Sequence, residues 1–202
     1  MDIKTFIFEK IKELSQEGIT VKFMGTNLIN YTYNGRKDSC GGFFDTKTLA
    51  IATKMSETEW IPTFLHEYSH YLQWKSSGVW EVSDVDPYDK WISGKKVNEK
   101  KARESMICLL RDESDCEKKA VNLIRQYHLP INIRNYIKKA NSYLYFHEVA
   151  YRYKDWYSIG RDPWKFESIL SVMPSKFQDD YTLINNKTCL LMYELCIKEN
   201  KN

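Results

Sequence analysis

The segment from about Val97 to Tyr127 holds the longest uninterrupted helical pattern in the sequence. It contains neither glycine nor proline, and its apolar residues recur at helical spacing. These residues are Met106, Ile107, Leu110, Ala120, Val121 and Ile124. A chain with such a segment builds either one long helix, around which other elements pack, or two consecutive helices.

Three other segments carry amphipathic helical patterns. The predicted helices cover about Asp2 to Glu17, about Ile133 to Lys154 and about Lys187 to Lys198. Glycine and proline in 76–96 predict a long surface connection, and those in 156–186 predict short helices joined by loops. The chain is therefore expected to be mainly helical.

β-branched and aromatic residues are concentrated in three short stretches near the start of the chain. They are ITVKFM at 19–24, NYTYNGR at 30–36 and FFDTKTLAIAT at 43–53. We predict an α+β fold, in which a mainly helical domain carries a small sheet of about three strands beside the helix that follows them. No internal repeat or linker is evident, so residues 1–202 are expected to form a single domain, with 128–202 as a helical C-terminal extension packed on it.

The composition is that of a folded globular protein without a marked charge excess. Hydrophobic residues make up 43% and aromatic residues 14%, and the 30 basic residues nearly balance the 27 acidic ones. We therefore expect no nucleic-acid partner and no membrane partner. Basic clusters such as GKKVNEKKAR contain glutamates, so they are expected to form a solvated helix face.

The five cysteines are odd in number and form no C-x-x-C pair. Cys108, Cys116, Cys189 and Cys196 fall in apolar helical patterns and are expected to behave as small buried hydrophobic residues. Free thiols favour a reducing compartment. The N-terminal pattern is helical rather than that of a signal peptide, and no apolar run approaches the roughly 18 residues of a membrane span. These observations predict a soluble, cytoplasmic protein.

The sequence FLHEYSHYLQ at 64–73 places His66 and His70 one helical turn apart, with Glu67 directly after the first histidine. Side chains four residues apart lie on one helix face, so both imidazoles can reach one metal ion. Ser56 and Glu59 have the spacing of a capping box that starts this helix. Pro62 leaves two alternatives open, because the regular helix begins either at this box or nearer the proline.

This pattern fits the chemistry of zinc-dependent hydrolysis. Zinc lowers the pKa of a bound water to near 7 and polarises a carbonyl, while a neighbouring carboxylate takes the proton of that water. The pattern H-E-x-x-H supplies two ligands and the base from one helical turn. We therefore predict that His66 and His70 bind Zn²⁺ and that Glu67 is the general base. The alternative is a helix whose surface histidines are merely polar.

The segment HEYSH, preceded by the strand-like TLAIAT, resembles the active-site helix of zincin metallopeptidases. The longer metzincin motif is absent, so the chain is more similar to the glutamate zincins, or gluzincins, whose third ligand is a glutamate on a later helix. In zincins an edge strand beside the active-site helix holds the extended substrate. The resemblance assigns that role to about Thr48 to Thr53.

Catalytic zinc uses three protein ligands and one water, and RDESDCEKKAVNLI at 111–124 offers the third ligand. Glu113 and Glu117 lie four apart, so one can bind zinc while the other hydrogen-bonds a ligating histidine. The spacing resembles E-x-x-x-D of the glutamate zincins and the corresponding element of the small ImmA/IrrE-type metallopeptidases. Both resemblances assign the metal ligand to Glu113. Glu117, Asp115, His147 and the DVDPYD loop at 84–89 remain alternatives.

The expected function is that of a zinc-dependent metallopeptidase. It hydrolyses peptide bonds of a protein or peptide substrate by attack of a zinc-bound water, assisted by Glu67. The alternative from a different class is a non-catalytic binding or regulatory protein, which keeps the zincin fold with a structural metal or none. The sequence leaves the identity of the substrate open.

Overall fold

The structure is a computed structural model that describes residues 1–33, 36–77 and 84–198. Its helices are α1 (Ile3–Gln16), α2 (Glu57–Ser77), α3 (Asp86–Ile92), α4 (Glu99–Gln126), α5 (Ile133–Tyr153), α6 (Glu167–Val172) and α7 (Asn186–Cys196), with a 3-10 helix at Pro163–Lys165. Its strands are β1 (Thr20–Met24), β2 (Ile29–Tyr33), β3 (Arg36–Cys40), β4 (Gly42–Phe44) and β5 (Thr48–Ala52). The predicted mainly helical α+β class is confirmed.

The chain divides into two compact units. Unit 1 comprises Met1–Glu81 and Lys119–Ile131, and unit 2 comprises Val82–Lys118 and Asn132–Asn202. The helical pattern of 97–127 forms one helix and not two, since α4 runs without a break from unit 2 into unit 1. The expectation of a single domain with a packed C-terminal extension stays a prediction.

Unit 1 contains a three-stranded sheet with the order β1-β5-β4. β5 pairs in parallel with β1, with Thr20 opposite Thr48, and antiparallel with β4, with Phe44 opposite Leu49. Because β5 lies in the centre of this sheet, the assignment of the edge strand to about Thr48 to Thr53 is wrong. The apolar run from Leu49 to Ala52 is what a strand covered on both faces requires.

The described residues of the stretch NYTYNGR, 30–33 and 36, do not join this sheet. β2 instead pairs antiparallel with β3 as a separate two-stranded sheet, so the described residues form five strands where about three were expected. The strand RKDSC lacks the β-branched and aromatic residues that signal a strand, which is why the sequence pattern did not indicate it.

α2 begins at Glu57, directly after the predicted capping box. The main-chain N–H of Ser56 donates to Glu59 Oε2 at 3.2 Å, and Ser56 Oγ donates to the same atom at 2.7 Å. These bonds satisfy groups that a helix start leaves unpaired, and the helix then continues through Pro62. Of the two alternatives, the start at the capping box is therefore the correct one.

One face of α2 packs against β4 and β5 and closes the core of unit 1. Phe64, Leu65, Tyr68 and Tyr71 on that face are buried. At Gly42 on β4 the helix comes so close that an added Cβ would lie 2.8 Å from Thr63 Cγ2. The position and rotation of α2 are thus fixed by direct contact with the sheet.

A polar cluster ties α1 to α2. Tyr68 Oη donates to Glu13 Oε2 at 2.8 Å, and Lys10 Nζ donates to the same oxygen at 3.2 Å. Lys10 Nζ also donates to Tyr127 Oη at 3.0 Å. Partial burial alone would raise the pKa of Glu13, but the hydrogen bonds from Tyr68 and Lys10 outweigh it and lower the pKa. The ionised carboxylate of Glu13 therefore joins the two helices.

Unit 2 is built around α5, which packs against α3, α6, α7 and the 3-10 helix. Leu144, Phe146 and Val149 of α5 are fully buried in its core. α3 lies within 76–96, where only a surface connection was expected, and it buries Tyr88. The prediction missed this helix because a seven-residue segment is too short to show a clear helical period.

Of the four cysteines that were expected to be buried, three are buried. Cys116, Cys189 and Cys196 are buried, whereas Cys108 is exposed and does not behave as predicted. Among the described residues, no helix combines the length and the apolar composition that crossing a membrane requires.

We predict that Gly42→Ala destabilises the protein. The new Cβ would lie 2.9 Å from Ile51 Cδ1 and 3.0 Å from the main-chain oxygen of Ala50, besides the contact with Thr63. Overpacking of this kind costs about 1–3 kcal/mol, measured as the free energy of unfolding in urea. Gly25→Ala is the matched control, since a Cβ at Gly25 meets nothing within 4 Å. Equal stability of the two variants would contradict the packing of α2 on β4.

Candidate metal centre

The two histidines of the H-E-x-x-H pattern face each other along α2. Their Nε2 atoms lie 3.1 Å apart, and the ring centroids are 4.6 Å apart with the ring planes nearly perpendicular. Both side chains are half-buried. The structure therefore brings His66 and His70 together as the sequence predicted, with their Nε2 atoms within hydrogen-bonding distance of each other.

Gln73 determines which nitrogen of His70 is available. His70 Nδ1 lies 2.8 Å from Gln73 Oε1, which is an amide oxygen and can only accept a hydrogen bond. Nδ1 therefore donates this hydrogen bond, and Nε2 is the nitrogen that faces His66. An outer hydrogen bond of this kind orients a histidine that binds metal and raises its basicity.

The separation of the two imidazoles fits a zinc ion. With Zn–N bonds of about 2.0–2.1 Å and tetrahedral angles, two nitrogens on one zinc lie about 3.3 Å apart. The observed Nε2–Nε2 distance of 3.1 Å needs only a small adjustment to reach that value. The donor pair therefore fits Zn²⁺ in both chemistry and spacing.

Glu67 follows His66 in the same turn of α2, and its side chain is only 7% exposed. Its neighbours Tyr68 and Ser69 are buried as well, and Ser69 Oγ donates to the main-chain oxygen of Leu65 at 2.7 Å. A carboxylate rotated by about 100° from the first histidine lies beside a bound ion rather than on it. The role of Glu67 as general base stays a prediction.

Glu113 lies on α4, and its Oε2 is buried. The side chain lies near Tyr143 of α5, whose pKa is raised well above its usual value, first by burial and then by the negative charge of Glu113. The role of Glu113 as third ligand stays a prediction.

The other candidates for the third ligand have different surroundings. Glu117 is buried, and its Oε2 accepts a hydrogen bond from Tyr136 Oη at 2.7 Å. Asp115 is exposed. In the DVDPYD stretch, Asp86 forms an ion pair with Lys90 within α3. These contacts give Glu117 and Asp86 local structural roles.

His147 is buried in the aromatic core of unit 2. Its ring lies 4.9 Å from that of Tyr143 and 5.1 Å from that of Trp156, and its Nδ1 lies 3.1 Å from Tyr88 Oη. Tyr88 Oη donates to the main-chain oxygen of His147 at 3.1 Å, so the remaining bond runs from Nδ1–H to the tyrosine oxygen. Burial lowers the pKa of His147 to about 3. His147 is thus a neutral core residue.

We predict that Gln73→Leu weakens zinc binding by about 10- to 100-fold, because it removes the acceptor that orients His70. Gln73→Glu keeps an acceptor at this position and is expected to retain the affinity of the wild-type protein. Competition with a chromophoric chelator measures both affinities. Equal affinity of the leucine variant and the wild type would contradict the role of Gln73.

We predict that His147 makes the protein less stable in acid. In the unfolded state its pKa is near 6.5 and in the folded state about 3, so between these values only the unfolded chain binds the proton. Stability is therefore lost as the pH falls below about 6.5, by up to about 1.4 kcal/mol per pH unit. Unfolding in urea at pH 7 and pH 5 measures this loss. His147→Gln, which removes the titrating ring, should lose about 2 kcal/mol less over that interval, and an equal loss in both proteins would exclude this origin.

Comparison of the chain with family models, with curated proteins and with solved structures gives no match. The interpretation of this centre therefore rests on its own donor atoms, their spacing and their burial.

Proposed function

We propose that the protein is a zinc-dependent metallopeptidase. His66 and His70 hold the ion through their Nε2 atoms, and Glu67 acts as the general base. The single observation that carries this proposal is the 3.1 Å separation of the two Nε2 atoms beside a buried carboxylate in the same helical turn. Two imidazoles alone suit many sites, but the added buried carboxylate favours hydrolysis.

A zinc ion bound here would acidify a water molecule and polarise the carbonyl of the substrate. Glu67 supplies the proton transfers. Its carboxylate accepts a proton from the attacking water and returns it to the leaving amine, as general acid–base catalysis requires. Because Glu67 is 7% exposed, its charge acts in surroundings of low dielectric constant, where electrostatic interactions are stronger than in water.

α4 supplies the third protein ligand in this proposal. Glu113 is the residue that the resemblance to glutamate zincins assigns to this role, and its Oε2 is buried. Three protein ligands leave one position of a tetrahedral ion open for water or substrate, as catalytic zinc requires.

The strand β4 is the element proposed to hold the substrate. It is an edge of the three-stranded sheet and packs directly against α2. Asp45 N–H donates to Thr48 O at 3.0 Å, and Ala52 N–H donates to Gly41 O at 2.8 Å. In an antiparallel pair these bonds alternate, so the main-chain groups of Gly42 point away from β5. An extended peptide can add to that edge by strand pairing.

The rival proposal is a binding or regulatory protein without catalytic activity. Such a protein would keep the zincin fold and hold a structural metal or none. Metal analysis of the purified protein separates the two, since a catalytic site requires zinc at close to one ion per chain. The buried Glu67 favours the enzyme, because a purely structural site has no use for an acid-base group at this position.

We predict that Glu67→Gln lowers the rate of peptide hydrolysis by about 100- to 10,000-fold, which is the usual contribution of a general base. The amide has nearly the same shape but cannot take up a proton. Zinc content, measured by atomic absorption, should stay near one ion per chain, whereas His66→Ala should lose the metal. Glu57→Gln is the matched control, since Glu57 is an exposed glutamate of the same helix. Full activity of the Glu67 variant with zinc still bound would falsify the proposed mechanism.

A further inference from the structure

We infer that Phe43 of β4 is a specificity-determining residue, which selects extended peptides that carry an apolar residue opposite it. This inference rests on the proposed function, since it takes β4 as the strand that holds the substrate. It adds a substrate class to that function: peptides with leucine, isoleucine, valine or phenylalanine at the position paired with Phe43.

The side chains of β4 alternate between the two faces of the three-stranded sheet. Gly42 faces α2, since a Cβ at this position would lie 2.8 Å from Thr63 Cγ2. Phe44 faces α2 as well, and its ring centroid lies 6.0 Å from that of Tyr71. Because successive residues of a strand point to opposite faces, Phe43 lies on the face away from α2. Phe44 is buried, whereas Phe43 is only partly buried.

The face that carries Phe43 is apolar. Phe43 is paired with Ala50 of β5 and packs against a small buried cluster. The other members of that cluster and the partly buried residues around it are all of uncharged types, namely Ile29, Ala52, Cys40 and Met55. A charged side chain placed beside Phe43 would lose water without gaining an ion pair from these residues, whereas an apolar side chain would gain from burial.

The hydrogen bonds of β4 determine where a substrate residue meets Phe43. Those between β4 and β5 leave the main-chain groups of Gly42 directed away from β5. Because this pattern repeats at every second residue, the groups of Phe44 share that direction and those of Phe43 face β5. A peptide that adds antiparallel to β4 therefore bonds to Gly42 and Phe44. Its residue between these two bonding positions lies opposite Phe43 in a non-hydrogen-bonded pair, the arrangement in which side chains are closest.

A synthetic peptide library of mixed sequence tests this inference. The zinc-loaded protein digests the library, and mass spectrometry of the products gives the residue preference at each position around the cleaved bond. We expect one position at which apolar residues are preferred over charged ones by about 2- to 5-fold, the range that a favourable cross-strand pair supplies. Phe43→Ala should remove the preference at that position and leave the other positions unchanged.

Phe43→Lys provides a test that a loss of stability cannot imitate. Opposite charges attract across paired strands, so this variant should prefer aspartate or glutamate at the position where the wild type prefers apolar residues. Lysine is common on edge strands, and circular dichroism verifies that each variant is folded. Phe8→Ala is the matched control, since Phe8 is a phenylalanine of α1 that is 70% exposed. It should keep the wild-type profile.

The outcomes separate this inference from the proposed function. Cleavage of the library with the same profile in wild type and Phe43→Lys would refute the role of Phe43 and leave the peptidase proposal intact. A change of profile that Phe8→Ala shares would also refute it. If the zinc-loaded wild type cleaved no peptide of the library, both the proposed function and this inference would be wrong.

Discussion

The packing of α2 on the three-stranded sheet is the interaction on which the rest of the centre depends. Because His66 and His70 lie on one helix, the helical pitch sets their separation, and the packing sets only the direction in which they point. Phe64 and Tyr68 are fully buried on the opposite side, and Gly42 allows the close approach of β4. A rotation of α2 that exposed these aromatic residues would also move both imidazoles.

Glu13 of α1 holds the same helix through Tyr68. Its carboxylate accepts hydrogen bonds from Tyr68 Oη and Lys10 Nζ. Lys75, near the end of α2, forms an ion pair with Glu17 at 2.7 Å. Exposed pairs such as the last contribute little to stability, whereas hydrogen bonds to a partly buried carboxylate contribute about 1.5–3 kcal/mol each. The contact between α1 and α2 therefore depends on Glu13 more than on the surface pairs.

Contacts between residues that are close together in the sequence could be predicted, whereas contacts between distant segments could not. The meeting of His66 with His70 and the capping of α2 by Ser56 are local, so helix geometry alone predicts them. The central position of β5 depends on a parallel pairing with β1, and a strand pattern does not reveal its neighbours. The periodicity of apolar residues predicts which residues are buried but not which residues they contact.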